Sequence, residues 1–233
     1  MFNLENIYLS YGDLTVLKDF NLSCSKNEFI CLFGPSGVGK SSILNILAGI
    51  IKPQYGNMTS NCKRLAYVFQ EPRLLPWLNA RQNMELGLHS LGLSVKEQNE
   101  RINNLLPLLG LSNFAAYYPS QLSGGMKQRV SLGRAFAILP DLLLLDEPFS
   151  ALDGNLKKDM RELLNSLQKW HPCTKVLVTH DADEAIRLSD RIIVLQGQPS
   201  YILFNIYPDK EKKLNQSYID KLEATLLEAA VSA

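Results

Sequence analysis

The sequence predicts an α/β fold: a core built on a mixed sheet, with an N-terminal antiparallel β subdomain, interrupted by an inserted helical subdomain. Three observations lead there. First, an apolar run, Phe29-Ile30-Cys31-Leu32-Phe33, enters a glycine loop (residues 34–42), and a helical pattern follows over 43–49. Second, Leu142-Leu143-Leu144-Leu145 is apolar at every position and ends in Asp146-Glu147, as suits a central parallel strand buried on both faces. Third, strand signals stop at Glu71 and helical periodicity runs to about Leu139, broken by Pro72, Pro76, Pro107 and Pro119. The expected organisation is one domain, with residues 1–70 and 140–233 as the core and about 71–139 as the insert.

Composition narrows the function classes. The chain is 46% hydrophobic and 20% charged, the balance of a folded globular protein. Its 24 basic and 23 acidic residues leave a net charge of +1, which argues against a nucleic-acid partner. The four cysteines, Cys24, Cys31, Cys62 and Cys173, show no metal-ligand spacing. Cys24 and Cys31 lie in apolar strand-like runs and read as small hydrophobes. The N-terminus has no charged segment followed by a long apolar one, so no signal peptide is expected. No apolar run approaches the roughly 20 residues needed to span a bilayer; attachment to a membrane would need a partner.

In chain order, residues 3–11 and 15–23 read as strands with a turn at Gly12 and Asp13. Tyr11 beside that turn is either an aromatic platform for a base or an ordinary strand aromatic. The loop Gly34-Pro35-Ser36-Gly37-Val38-Gly39-Lys40-Ser41-Ser42 has the spacing G-x-x-x-x-G-K-[ST] between strand and helix, which marks a nucleotide site. Its glycines let successive N–H groups converge on phosphate oxygens, and the helix amino end adds partial positive charge. Lys40 supplies a point charge for the β- and γ-phosphates, and Ser41 a hydroxyl ligand for Mg²⁺. Ser42 is placed to donate to the α-phosphate. Residues 53–57 read as a turn. A strand over 64–69 then ends at Gln70, on the rim where α/β sheets bind ligands; its amide serves Mg²⁺ or the attacking water, or is a surface group.

The segment Leu74-Leu75-Pro76-Trp77-Leu78 is unusually apolar for a loop, and reads as core packing or as a patch offered to another protein. Ser123 is suited to cap a helix that opens with Gly124 and Gly125. That bare backbone is a second phosphate-binding surface, and the economical reading gives it to a nucleotide held by another copy of the chain. Asp146 fits a water-mediated contact to Mg²⁺, and Glu147 a general base for the attacking water. The strand over 175–179 ends at His180, a candidate γ-phosphate contact on the same rim. Asp181 and Glu184 form a capping pattern for the next helix. A hairpin follows near Gly197, and a helix over 218–230 closes the chain.

These residues together resemble the ATP-binding-cassette family of ATPases over essentially the whole chain. The glycine loop, Gln70, Leu122-Ser123-Gly124-Gly125-Met126-Lys127-Gln128-Arg129, the strand ending in Asp146-Glu147, Ser150-Ala151-Leu152-Asp153 and His180 stand in the family's order. The resemblance implies a P-loop NTPase core that uses ATP and Mg²⁺, with two cassettes paired head to tail. Each ATP would lie between one chain's phosphate loop and the other's Ser123, Gly124 and Gly125, with Asp153 among the nucleotide contacts. It also implies transmembrane permease subunits as partners, indirectly a solute-binding protein, and a peripheral place on the cytoplasmic face of the membrane. Glu147-Pro148-Phe149-Ser150 resembles the importer form. The stretch Phe69-Gln70-Glu71-Pro72-Arg73-Leu74-Leu75-Pro76-Trp77 is similar to the nitrate, sulfonate and taurine group, and vitamin-precursor importers share much of it. An export-type or soluble non-transport cassette is the alternative. Gly133 departs from the family's usual alanine, and Leu156-Lys157 from its usual Thr-Arg.

Overall fold

Apolar residues recur at alternate positions early in the chain, and strands β1 (Phe2–Tyr11) and β2 (Leu14–Cys24) form there as an antiparallel pair. In β1 the buried positions are Phe2 and Leu4, then Ile7 and Leu9, and the pairing register shifts between the two sets. Asn6, with φ 50°, sits at that shift; the extra residue returns the apolar side chains to the inner face. The chain continues as β3 (Phe29–Phe33), α1 (Lys40–Leu47), β4 (Tyr55–Ser60), β5 (Leu65–Val68), α2 (Ala80–Glu85), α3 (Val95–Leu108) and α4 (Gly124–Ala137). Then follow β6 (Leu142–Asp146), α5 (Gly154–Trp170), β7 (Thr174–Thr179), α6 (Ala182–Leu188), β8 (Arg191–Gln196), β9 (Tyr201–Ile206) and α7 (Gln216–Val231). The structure, a computed structural model, describes residues 1–231.

Two compact units emerge. The first comprises Met1–Cys62, Leu144–Glu147 and Thr174–Ala233. It holds the three-stranded sheet β2-β1-β4 and the sheet neighbours β6-β7-β3-β8-β9. β3 lies between β7 and β8, parallel to both, and every residue of β3 and β7 is buried. That burial is why these strands read as continuous apolar runs. β9 closes the edge antiparallel to β8, the expected hairpin. Residues 53–57, read from sequence as a turn, run instead into β4, which pairs with β1. β4 (Tyr-Gly-Asn-Met-Thr-Ser) has no buried residue; an exposed edge strand lacks the alternation that betrays strands with an inner face. α7 packs on α6 and β8, with Ile219 and Leu226 fully buried.

The second unit comprises Lys63–Leu143 and Pro148–Cys173. It carries β5 beside the start of β6 and the helices α2 to α5. Asn79 and Ser94 cap α2 and α3 with reciprocal capping boxes, each satisfying backbone groups that a bare helix start leaves open. The apolar loop before α2 is held from within: Asn83, fully buried, bonds Leu75 N, Leu75 O, Leu78 O and Asn79 O. Leu74 and Leu75 are half-buried while Trp77 stays 68% exposed, so the loop packs in part and leaves Trp77 outward.

Gly133, inside α4, has a packing reason. A Cβ there would lie 2.6 Å from Leu109 Cδ1 and 2.8 Å from Met84 Cε, and both side chains are fully buried. Alanine would gain about 1 kcal/mol of helix propensity, against roughly 1–3 kcal/mol for overpacking. We expect Gly133→Ala to lower the thermal midpoint by a few degrees, about 2–4 °C per kcal/mol at this size; a midpoint that rises would mean that Met84 and Leu109 move aside freely.

Candidate nucleotide site

In the first unit, β3 is buried along its whole length and delivers the chain to Gly34. A Cβ on Gly34 would collide with the Leu195 carbonyl, so only glycine lets the loop leave the sheet here. At the other end Gly39 has φ 100° and serves as N-cap of α1 without a side-chain cap. The first-turn N–H groups of α1 therefore have no side chain of the cap residue competing for them. Lys40 is 6% exposed and curls back over the loop, donating from Nζ to Gly34 O (2.7 Å) and Pro35 O (2.8 Å). Burial holds its pKa below the ordinary lysine value, opposed by Glu147, Cys31 and Asp146.

Ser41 Oγ donates to Asp146 Oδ1 at 3.1 Å, bringing the second residue of α1 to the end of β6. These are hard oxygen donors of the kind Mg²⁺ prefers. No group of three or more His, Cys, Asp or Glu suited to a metal exists among the described residues. The remaining ligands of a cation here would be phosphate oxygens and water, as is usual for Mg²⁺ at nucleotide sites.

Glu147 follows with φ 45°, a left-handed backbone that costs a non-glycine residue of order 1–2 kcal/mol. It is retained by a hydrogen bond from Glu147 N to Val178 O at 2.9 Å. The turn aims the carboxylate at His180, with Oε2 3.2 Å from Nδ1. His180 directly follows β7, and Asp181 beyond it caps α6 by accepting from Glu184 N. Glu184 also accepts from Thr179 Oγ1 at 2.9 Å, fixing the backbone on both sides of the histidine.

Tyr11, Leu14 and Val16 join Ser36, Gly37, Gly39 to Ser42 and Glu147 around a cleft of about 330 Å³. Tyr11 is 48% exposed and its hydroxyl lies 3.4 Å from Ser42 Oγ. Sequence reasoning missed Leu14 and Val16, which extend the apolar wall beside Tyr11. Their signal was the three-residue step across the Gly12 turn, which puts the start of β2 on the same side as Tyr11. Burial pushes the Cys31 thiol far up and that of Cys24 to about 12, and none of the four cysteines is in a disulfide. Neither of these two buried thiols is suited to act as a nucleophile.

The second unit carries the other predicted residues. Ser123 caps α4, its Oγ accepting from Met126 N at 3.2 Å. Ser123 and Gly124 are exposed, whereas Gly125 is buried against Leu156. Leu156, near the amino end of α5, thus packs against Gly125. Asp153 is exposed and caps that helix through Oδ1 to Leu156 N at 3.0 Å. Gln128 is 3% exposed and donates to Pro148 O at 2.6 Å; Arg129 donates to Leu109 O. These two fasten α4, leaving Ser123 and Gly124 to face outward. Gln70 is exposed and its Nε2 donates to Ser150 Oγ at 3.2 Å.

Residues 17–150 match the ABC transporter family. The chain is 39% identical over 223 residues to the nitrate import ATP-binding protein NrtD of Synechocystis, covering 91% of this chain and 84% of that one. It is 45% identical over 201 residues to an aliphatic sulfonates import ATP-binding protein, SsuB 1 of Rhodococcus jostii, covering 84% and 79%. Among solved structures, the ATP-binding cassette MJ0796, a dimer in a post-hydrolysis state bound to ADP and Pi, superposes with a TM-score of 0.78. It is 32% identical, over 90% of this chain and 99% of that one. With a family match over more than half of its residues and these relatives over most of its length, the chain belongs to the ABC transporter family and is one of its ATP-hydrolysing subunits.

Proposed function

We propose that this chain powers an importer of a small solute, of the class of nitrate, an alkanesulfonate or taurine, by closing as a head-to-tail pair on ATP. One observation carries the pairing. Glycine backbone opens both α1 and α4, and the first brings with it a buried lysine curled over its loop, a metal-type serine–aspartate pair and a base. A second such start, with Ser123 and Gly124 exposed, is useful when it meets a nucleotide held by a second copy. The dimeric, ADP-bound relative supports the same reading.

In this reading the N–H groups of the loop and Lys40 hold the phosphates, and Ser41, with Asp146 through water, would hold Mg²⁺, whose charge would offset that of the phosphate oxygens. Glu147 orients the attacking water and takes its proton; His180 contacts the γ-phosphate and fixes the Glu147 side chain. Gln70 brings its amide to the metal or the water, Tyr11 stacks on the adenine, and Asp153 stands beside the partner's nucleotide. Ser123, Gly124 and Gly125 complete the γ-phosphate shell of the other copy. The whole chain acts as one ATPase domain on the cytoplasmic face of the membrane, bound to permease subunits through the exposed Trp77 region. No described helix is long and apolar enough to cross a membrane. Solute choice lies with the permease and a solute-binding protein, and no nucleic acid takes part.

The pairing is tested at Ser123. A Glu147→Gln chain should form a two-chain particle with Mg·ATP by light scattering, and adding Ser123→Arg should abolish it while calorimetric ATP affinity of the single chain persists. ATP-dependent pairs that survive Ser123→Arg would remove the head-to-tail arrangement.

A further inference from the structure

Both ends of the phosphate loop rest on the hairpin between β8 and β9. Gly34 lies against the Leu195 carbonyl, near the end of β8. At the far end a Cβ on Gly39 would lie 2.7 Å from Val16 Cγ1 and 3.1 Å from Ser200 Oγ. Ser200, 2% exposed, donates its hydroxyl to the carbonyl of Val38. Its own N–H bonds Val16 O at 2.8 Å, and it bridges to Leu17 in parallel register. The hairpin is braced in turn. Tyr201 Oη donates to Gln196 Oε1 at 2.9 Å, and Gln196 Nε2 donates to Ala229 O in α7 at 3.3 Å.

We propose that Ser200 is a positioning residue for phosphate binding. A trans peptide is planar, with its C=O and N–H pointing in opposite directions. Anchoring the Val38 carbonyl on the inner side therefore turns the Gly39 N–H outward, toward the cleft that Gly39 lines. Without the hydroxyl the Val38 carbonyl is a buried acceptor with no partner, and the peptide gains by rotating away from the geometry that receives phosphate. The inference rests on reading residues 34–42 as the phosphate loop.

The test uses the full-length protein with Mg·ATP. Ser200→Ala is expected to raise the dissociation constant for ATP about fivefold to tenfold, the loss of one well-made hydrogen bond. KM should rise in parallel, with kcat changing less than about twofold, because the bond acts on the loop and not on Glu147. Pyrophosphate, displacing a fluorescent ATP analogue, should weaken by the same factor, since the effect is on the phosphates and not on the base. A role confined to folding would instead lower the thermal midpoint and leave affinity unchanged, and ATP affinity within twofold of the parent would overturn the proposal. If Ser200→Ala does not fold, Ser200→Gly removes the hydroxyl without adding an atom, and the same criterion applies. Lys40→Ala, run alongside, separates the two failures. Parental affinity in Lys40→Ala would sink the loop assignment itself, whereas loss there with none at Ser200 would sink only the present inference.

Discussion

Glu147→Gln should bind ATP about as tightly as the parent and hydrolyse it roughly 10²–10⁴ times more slowly, the usual contribution of a general base. The substitution keeps size and shape and can accept a hydrogen bond from His180 Nδ1, so the 3.2 Å contact survives. What disappears is the ability to take a proton from water. The backbone supports this reading over a purely structural one. A φ of 45° at a glutamate is a strained state, of the kind that persists where surrounding bonds enforce it and that clusters at functional sites. Here the hydrogen bond from Glu147 N to the Val178 carbonyl helps enforce it. Phosphate release under saturating ATP, with binding by calorimetry, decides the matter. A variant that turns over at the parental rate would remove Glu147 as the base.

The parts of the molecule legible in the sequence are those where one chemistry requires one residue type. Gly34 and Gly39 stand where a Cβ would meet the Leu195 carbonyl and the Val16 side chain. Ser41, Asp146, Glu147 and His180 stand at strand or helix ends, where side chains converge. The four leucines of β6 announced burial through sheer apolarity. What stayed hidden depended on contacts between distant positions. β4 buries no side chain and is recognised by its partner β1. Gly133 looks like a flaw in a helix until Met84 and Leu109 are seen to fill the space beside it. Ser200 lies 162 positions from the carbonyl it anchors, and no spacing rule reaches that far. Gln128 belongs to a recognisable motif, yet its bond to Pro148 O gives it a task that the motif does not state.

Lys40→Ala should raise the dissociation constant for ATP by about 10²–10³, the usual loss of roughly 3–4 kcal/mol when a buried, charge-assisted contact goes. Two consequences separate this from damage to the fold. Lys40 is a cation at 6% exposure that donates to the carbonyls of Gly34 and Pro35. Such a charge carries a desolvation cost, so the variant without nucleotide should melt no earlier than the parent. With ATP present the parent should gain several degrees, and the variant almost none, because only bound ligand shifts the equilibrium. The second consequence is in pH. Burial first, against the pull of Glu147, Cys31 and Asp146, sets the free Lys40 below its ordinary 10.5. Phosphate requires the charged amine, so affinity is complete below that lowered pKa and falls as pH rises through it. ATP affinity of the parent should therefore begin to decline at a lower pH than an unburied lysine would allow, and the decline should be absent from the residual binding of Lys40→Ala. Replacement by arginine should not restore binding, since a wider planar group cannot occupy the same enclosed position between the loop carbonyls. Calorimetry across neutral to alkaline pH, on parent and variant together, reads each of these outcomes. A Lys40→Ala chain with parental affinity would dissolve the assignment of residues 34–42 as the phosphate loop.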